Sequence, residues 1–321
     1  MKKERSLLGN LLKKTILWTT AAVGSAAIGQ QLLLYLAQKK RDMTPHETFH
    51  GKYGETAYRK IGHGKVLVLL HSTLVGSGRM EWEQTAKLLA EHYCVYCVDM
   101  PGFGQSQKPR TPWTVYDYAL WLQEFLAEGI GRKVCVVGVG NSADFALMAK
   151  KLGCSQIRRL VLVRPEGLAK GFATGQDTQD LKLLELPLIG TQKFLMGTTS
   201  AAVREVWEKA VFAPEKLDQA LWKKAAVSAR IGKGAQMVYA AGCCRFWSVD
   251  SRDAFVKADC PVAVVWGEAD RDISADVLCE AEKLRPDGVY YLFEQTAMLP
   301  HVENSKAFAA RVTAFLEGEE T

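Results

Sequence analysis

Short apolar runs alternate with amphipathic segments along most of the chain after residue 41. Residues 66–70 form an unbroken apolar run, as expected for a strand covered on both faces of a parallel sheet. Residues 81–90 follow, with Trp82, Ala86 and Leu89 at helical spacing. The same alternation predicts further strands at 94–98, 134–139, 160–163, 262–266 and 289–293. It predicts further helices at 115–127, 141–152, 276–284 and 305–316. The pattern is typical of an α/β fold with a doubly wound, mostly parallel sheet.

One stretch, from about residue 167 to about residue 257, interrupts this alternation. It combines helix-compatible segments with many large apolar side chains: Leu181, Leu183, Leu184, Leu186, Phe194, Trp207, Trp222, Phe246 and Trp247. We interpret it as a helical cap inserted into an α/β domain that covers residues 42–321.

The chain begins with a segment that resembles a membrane anchor. Residues 15–37 contain no charged side chain, and 23 residues are enough to cross the hydrocarbon core of a bilayer. Basic clusters flank this segment, and Trp18 and Tyr35 lie near its ends, where amphipathic aromatics prefer the interface. A cleaved signal peptide with a small-residue site at 24–27, or a buried helix, would share part of this pattern. The apolar residues 32–37 continue past such a site and favour an uncleaved single-pass anchor.

Charge is concentrated in the same segment. Residues 1–41 carry eight basic residues and one acidic residue, a net charge of +7, whereas the whole chain has a net charge of +6. The α/β domain is therefore close to neutral, which argues against nucleic acid as a partner and in favour of a membrane. Five basic residues precede the predicted span and three follow it, which slightly favours an extracytoplasmic domain.

The cysteine pattern gives a different indication about the compartment. Of eight cysteines, Cys94, Cys97, Cys135 and Cys260 lie in or beside apolar runs, where a free thiol packs as a small hydrophobic group. The cysteines therefore point away from the extracytoplasmic side that the basic residues slightly favour, and the side of the membrane stays open. The spacing matches no zinc motif, so we expect neither a metal nor a cofactor. The adjacent Cys243 and Cys244 suit packing better than redox chemistry.

Three motifs in the α/β domain point to a family. Residues 99–109 read DMPGFGQSQKP, residues 266–270 read WGEAD, and residues 299–304 read LPHVEN. In this order they resemble the loop after the fourth strand, the segment of the triad acid and the segment after the triad histidine in α/β-hydrolases of the epoxide-hydrolase and esterase type. The chain also resembles a subgroup of membrane-anchored bacterial members of this superfamily. The resemblance runs from about residue 58 to residue 316 and implies an α/β-hydrolase fold with Asp270 as the triad acid.

The nucleophile of such enzymes stands on a sharp turn between a strand and a helix, usually in the pattern GxSxG. The chain has no GxSxG, and the corresponding segment reads GVGNSA over residues 138–143. Small residues at Ser142, Ala143 and Ala146 match the family if Gly140 occupies the nucleophile position. A register shifted by two residues would make Ser142 the nucleophile, but it would place Asp144 where close packing normally requires glycine.

The histidine of the triad is missing as well. The residues that correspond to it read AMLPH over 297–301, so Met298 occupies the general-base position. A thioether exchanges no proton near neutral pH and activates no hydroxyl group. His301 matches a second, structural histidine of the family; a role as a substitute base is the alternative.

The loop that binds the oxyanion is better preserved. Residues His71, Ser72 and Thr73 resemble the oxyanion-hole segment, with serine in place of the usual glycine. The backbone N–H groups of Thr73 and Asn141 are expected to form an anion-binding nest, because that geometry does not depend on the missing side chains.

These observations favour a membrane-tethered pseudoenzyme that binds an apolar or acyl-bearing molecule, or a protein partner, beneath the cap. The alternative is an active hydrolase of lipid-like esters that uses a rearranged site of Ser142, His301 and Asp270. A third possibility, non-hydrolytic catalysis on the same fold, is disfavoured because family members of that kind depend on the histidine that Met298 replaces.

Overall fold

A computed structural model describes residues 28–30, 32, 35–36, 44–169 and 175–318. Its centre is an eight-stranded sheet in the order β1-β2-β4-β3-β5-β6-β7-β8, in which β3 to β8 run parallel and β1 and β2 are antiparallel to their neighbours. The strands are β1 Glu47–Gly51, β2 Gly54–Ile61, β3 Lys65–Leu70, β4 Tyr93–Val98, β5 Val134–Val139, β6 Ile157–Val163, β7 Val262–Gly267 and β8 Val289–Phe293. The predicted doubly wound α/β fold is confirmed.

Helices cover both faces of the sheet. Successive side chains of a strand point to opposite faces, and β3 shows the result. Val66, Val68 and Leu70 pack with the helices Val115–Glu124 and Asn141–Lys151. Leu67 and Leu69 belong to a second core on the opposite face, beside the helices Thr85–Leu89 and Ser305–Glu317. The helices Arg252–Lys257 and Asp276–Leu284 complete the first face.

The predicted strands and helices recur with small shifts at their ends. The predicted helix 81–90 is a 3₁₀ turn, Arg79–Trp82, followed by the helix Thr85–Leu89. The predicted helix 115–127 ends at Glu124 and continues as a π-helical turn, Phe125–Ile130. The strands β1 and β2 were not predicted, because most of their residues are exposed or half-buried and they form no apolar run.

The stretch between β6 and β7 contains the helices of the interpreted cap. They are Thr178–Glu185, Ile189–Gly197, Ser200–Lys209, Gln219–Ser228 and Ala235–Cys243, with short 3₁₀ turns at Glu166–Leu168 and Pro214–Lys216. Trp207 attaches them to the sheet domain, since its indole N–H donates to the carbonyl of Val75 at 3.2 Å. The last helix before β7, Arg252–Lys257, packs on the sheet domain instead, with Phe255 fully buried there.

Most of the predicted anchor, residues 15–37, lies outside the described residues. Within the part of the chain that the structure describes, no helix is both long and apolar enough to cross a membrane. In the described part of this segment the Gln30 amide donates to the carbonyl of Leu188 at 3.3 Å and to the side chain of Gln192 at 3.1 Å.

Candidate functional site

A sharp turn at Gly140 joins β5 to the helix Asn141–Lys151, which we call the elbow helix. Gly140 has φ 60° and ψ −130°, a conformation that glycine adopts readily. Other residues adopt it only with backbone strain, which is found mostly at functional turns. The elbow helix lies so close to β5 that a Cβ on Gly138 would be 2.7 Å from the Cα of Ala143. A Cβ on Gly140 would have more room, since its nearest neighbour is Glu166 Oε1 at 3.6 Å.

Ser142 lies beneath this turn and has no exposed surface. Its Oγ accepts the backbone N–H of Val139 at 2.7 Å and is within hydrogen-bonding distance of the carbonyl oxygens of Val139, at 3.0 Å, and Leu70, at 3.3 Å. The hydroxyl therefore fastens the elbow helix to the ends of β5 and β3.

Asp270, after β7, is paired with an arginine. Arg164 follows β6, has φ 49°, and donates from Nε to Asp270 Oδ2 at 2.6 Å. The side chains of both residues are 3% exposed. Asp270 also accepts the backbone N–H groups of Asp272 and Ile273, at 3.0 and 3.2 Å. The carboxylate that would orient a triad histidine is thus neutralised by Arg164.

The same guanidinium holds a second carboxylate. Arg164 Nη1 donates to Glu166 Oε1 at 2.7 Å, and Glu166 is also hydrogen-bonded by Asn141. Burial raises the pKa of Glu166, and the charge of Arg164 opposes that effect. The sequence reasoning missed both residues; their signal was an arginine and a glutamate placed directly after the predicted strand 160–163.

Met298 and His301 lie in different environments. Met298 lines the cavity beneath the cap, and its backbone N–H donates to the carbonyl of Ala210 at 3.0 Å. His301 is fully buried, with Nε2 3.4 Å from Glu81 Oε2 and its ring 4.2 Å from that of Trp82. No hydrogen bond joins any two of Ser142, His301 and Asp270 within the described residues.

The loop after β3 is held by a buried network. His71 Nε2 accepts the N–H of Met100 at 3.0 Å, so this nitrogen carries no proton; burial also lowers the pKa of the ring. The carboxylate of Glu81 accepts the N–H and the hydroxyl of Ser72, at 2.9 and 2.6 Å, and the hydroxyl of Ser77. These bonds fix the path of the backbone into Thr73.

Thr73 and Asn141 meet at the cavity, where Asn141 Nδ2 donates to Thr73 Oγ1 at 3.0 Å. Their backbone N–H groups have no hydrogen-bond acceptor among the described residues. Asn141 is the first residue of the elbow helix, so its N–H is one of the free donors of a helix N-terminus. Thr73, Asn141 and Glu166 are thereby brought together, with Met298, around one space.

That space is a cavity of about 340 Å³ between the sheet domain and the cap. The volume is at the lower end of the range for small-molecule sites. The cap contributes mainly apolar and aromatic groups, among them Val206, Val238, Tyr239 and Trp247. Cys243 also lines the cavity, while Cys244 is buried; both are free thiols. No group of three or more histidine, cysteine or acidic side chains suited to a metal occurs in the described ranges.

The fold is that of an α/β-hydrolase. Residues 67–311 match the model of the alpha/beta hydrolase family, and the chain belongs to that family. It is 25% identical over 256 residues to the pimeloyl-[acyl-carrier protein] methyl ester esterase of Aliivibrio fischeri (strain ATCC 700601 / ES114), covering 79% of this chain and 95% of the relative. It is 31% identical over 116 residues, 36% of this chain and 40% of the relative, to the 2-hydroxy-6-oxo-6-(2'-aminophenyl)hexa-2,4-dienoic acid hydrolase of Metapseudomonas resinovorans.

Solved structures share the fold. The serine hydrolase of carbazole degradation, CarC, superimposes with a TM-score of 0.69 at 21% identity, covering 85% of this chain and 98% of that one. A bacterial membrane phospholipase A superimposes with a TM-score of 0.66 at 23% identity, covering 98% of each chain.

Asp144, on the elbow helix, has a buried carboxyl group whose protonation makes the stability of the protein depend on pH. Its carboxyl accepts the N–H of Gly167 at 3.0 Å and the hydroxyl of Ser251 at 2.6 Å, and burial raises its pKa to about 7. The native state therefore holds a proton that the unfolded chain, with an ordinary pKa of 3.8, releases. Stability contributed by this group is present at pH 4 and is lost as pH rises to about 7.

We expect Asp144→Asn to flatten this pH dependence, because asparagine can form hydrogen bonds with both Gly167 and Ser251 and does not ionise. At one unit of pKa per 1.36 kcal/mol, the wild-type loss attributable to Asp144 between pH 4 and pH 8 is at most about 4 kcal/mol. Urea unfolding of both proteins across this range measures the difference. Parallel pH profiles would contradict the assignment.

Proposed function

We propose that this protein is a membrane-anchored member of the family that binds an apolar or acyl-bearing ligand beneath the cap and does not use a serine triad. The observation that carries the proposal is the cavity around Thr73, Asn141 and Met298. A binding space is retained there, but Gly140 offers no nucleophile and Met298 offers no base. In this proposal Gly140 and Met298 occupy the nucleophile and histidine positions.

The pairing of Asp270 with Arg164 supports the same function. A triad acid acts by holding a histidine in place and stabilising its positive charge. Here the permanently charged guanidinium of Arg164 donates to the carboxylate of Asp270 at 2.6 Å, so a histidine is not needed to neutralise that carboxylate. Asp270 and Arg164 then act as a structural pair at the ends of β7 and β6.

The relatives support an acyl-bearing ligand. The esterases matched over 95% of their length are named for the methyl ester of an acyl group carried on a protein. The unpartnered N–H groups of Thr73 and Asn141 suit a carbonyl oxygen, which is the acceptor that such a group presents. The amino-terminal segment, with its apolar residues 15–37 and its +7 charge, supports attachment to a membrane as the place where such a ligand is met.

The competing function is ester hydrolysis by Ser142, His301 and Asp270. In its favour are the esterase relatives and the free N–H groups. Against it stand the full burial of Ser142 beneath the turn and the position of His301 beside Glu81 and Trp82. A serine activated for attack needs its base within hydrogen-bonding reach.

A fluorophosphonate probe separates the two functions. We expect no labelling of the wild-type protein, and no difference between wild type and Ser142→Ala, because no hydroxyl is activated in the cavity. Wild-type labelling that disappears in Ser142→Ala would overturn the proposal. Binding is checked by thermal unfolding with short-chain apolar compounds, which should raise the Tm of a protein that the probe leaves unlabelled.

A further inference from the structure

Glu166 lines the cavity and belongs to a cluster of ion pairs that holds more negative charge than positive charge. The guanidinium of Arg164 is shared between Asp270, at 2.6 Å, and Glu166, at 2.7 Å. Asp272 adds a third carboxylate 3.7 Å from the same group, but its side chain is 79% exposed and is screened by solvent. One cation therefore serves two largely buried anions.

The two buried carboxylates are not held equally. Asp270 has two backbone N–H donors in addition to Arg164. Glu166 has Asn141 as its only further partner besides Arg164 among the described residues, and it faces the cavity. Of the two, Glu166 is the carboxylate whose charge is less completely balanced.

The rest of the lining offers Glu166 no cation. Among the described residues that line the cavity there is no lysine, arginine or histidine. The other ionisable groups that line the cavity are Tyr239 and Cys243, and burial raises the pKa of both, so they are neutral at pH 7. Three aromatic rings, of Phe103, Tyr239 and Trp247, form part of the wall.

We propose that the ligand is an apolar molecule with a protonated amine as its head, and that the carboxylate of Glu166 binds this ammonium group. An incompletely balanced buried carboxylate is costly, and an ammonium group removes the imbalance through a charge-assisted hydrogen bond. The aromatic wall suits a cation as well, because ring faces attract positive charge. A carboxylate head would instead meet Glu166 with like charge. This proposal rests on the proposed binding function and defines its ligand class.

The test compares three compounds of equal length: hexylamine, hexanol and hexanoate. Each is titrated calorimetrically at pH 7 into the full-length protein in lipid nanodiscs, with empty nanodiscs as the blank. We expect hexylamine to bind about 10- to 100-fold more tightly than hexanol, the range for a hydrogen bond to a charged group. Hexanoate should bind most weakly.

Two variants assign the preference to Glu166. Glu166→Gln should abolish the advantage of hexylamine over hexanol. Glu208→Gln, which removes a carboxylate that pairs with Arg204 and does not line the cavity, should leave all three affinities unchanged. Hexylamine binding should also weaken as pH falls, because protonation of Glu166 removes its charge.

The outcomes distinguish the two proposals. If hexanol binds but hexylamine has no advantage, or if Glu166→Gln keeps that advantage, the amine-head proposal is wrong and the binding function stands. Hexanoate as the tightest ligand would likewise overturn it. If none of the three compounds binds, the binding function itself fails.

Discussion

Replacing Arg164 by methionine is expected to lower the free energy of unfolding by about 3–5 kcal/mol at pH 7, the usual cost of leaving buried charges unpaired. Methionine fills much of the same volume but leaves Asp270 and Glu166 facing each other without a cation. Chemical denaturation of the two proteins gives the difference directly. This is the largest stability effect that the site predicts for one side chain.

The penalty should depend on pH in a defined direction. Without Arg164, its charge no longer opposes the effect of burial, so the pKa of Glu166 rises further in the native state, whereas the unfolded chain keeps an ordinary value. The variant then takes up protons on folding, so its stability rises relative to wild type as pH falls from 7 towards 4. A loss that is the same at every pH would show that Arg164 contributes packing and not charge.

Arg204→Met is the matched control. Arg204 pairs with Glu208 on the surface of a cap helix, at 2.7 Å, and its side chain is 57% exposed. Exposed pairs of this type contribute less than about 1 kcal/mol. If the two variants lose similar stability, the argument that Arg164 neutralises a buried site is contradicted.

The sequence predicted the parallel part of the sheet because β3 to β7 consist mostly of buried residues and appear as apolar runs. Strand β5, Val134–Val139, is buried throughout and was placed without error. Strands β1 and β2 were missed because their burial is partial: in β2 only Thr56 and Ala57 are buried. A strand at the edge of a sheet is defined by its partner more than by its own composition.

Only part of the candidate site could be predicted from the sequence. Gly140 and Met298 could be placed by register, because motifs of fixed spacing surround them. Arg164 and Glu166 follow β6, while Asp270 follows β7, about a hundred residues later. Their contact depends on β6 and β7 being neighbours in the sheet, which the residue pattern does not state. The φ of 49° that turns Arg164 towards Asp270 has no sequence signal either.

The second large effect concerns chemistry: the variant Gly140→Ser/Met298→His is expected to react with a fluorophosphonate probe at least about 100-fold faster than wild type. A side chain added at Gly140 has room, because the nearest atom to its Cβ would be Glu166 Oε1 at 3.6 Å. The positive φ of residue 140 is unfavourable for serine and costs about 1–3 kcal/mol of stability. The free N–H groups of Thr73 and Asn141 are available for the developing oxyanion.

The two substitutions should depend on each other. Gly140→Ser alone supplies a hydroxyl without a base, and a positioned general base contributes about 10²- to 10⁴-fold, so we expect the single variant to label little above background. Adding Ser142→Ala to the double variant should leave labelling unchanged, because Ser142 fastens the elbow helix and does not face the cavity. Because Arg164 still holds Asp270, the rate of labelling is the appropriate measurement and ester turnover should remain low. A folded double variant that stays unlabelled, or one whose labelling is lost with Ser142→Ala, would show that Gly140 and Met298 are not the nucleophile and histidine positions.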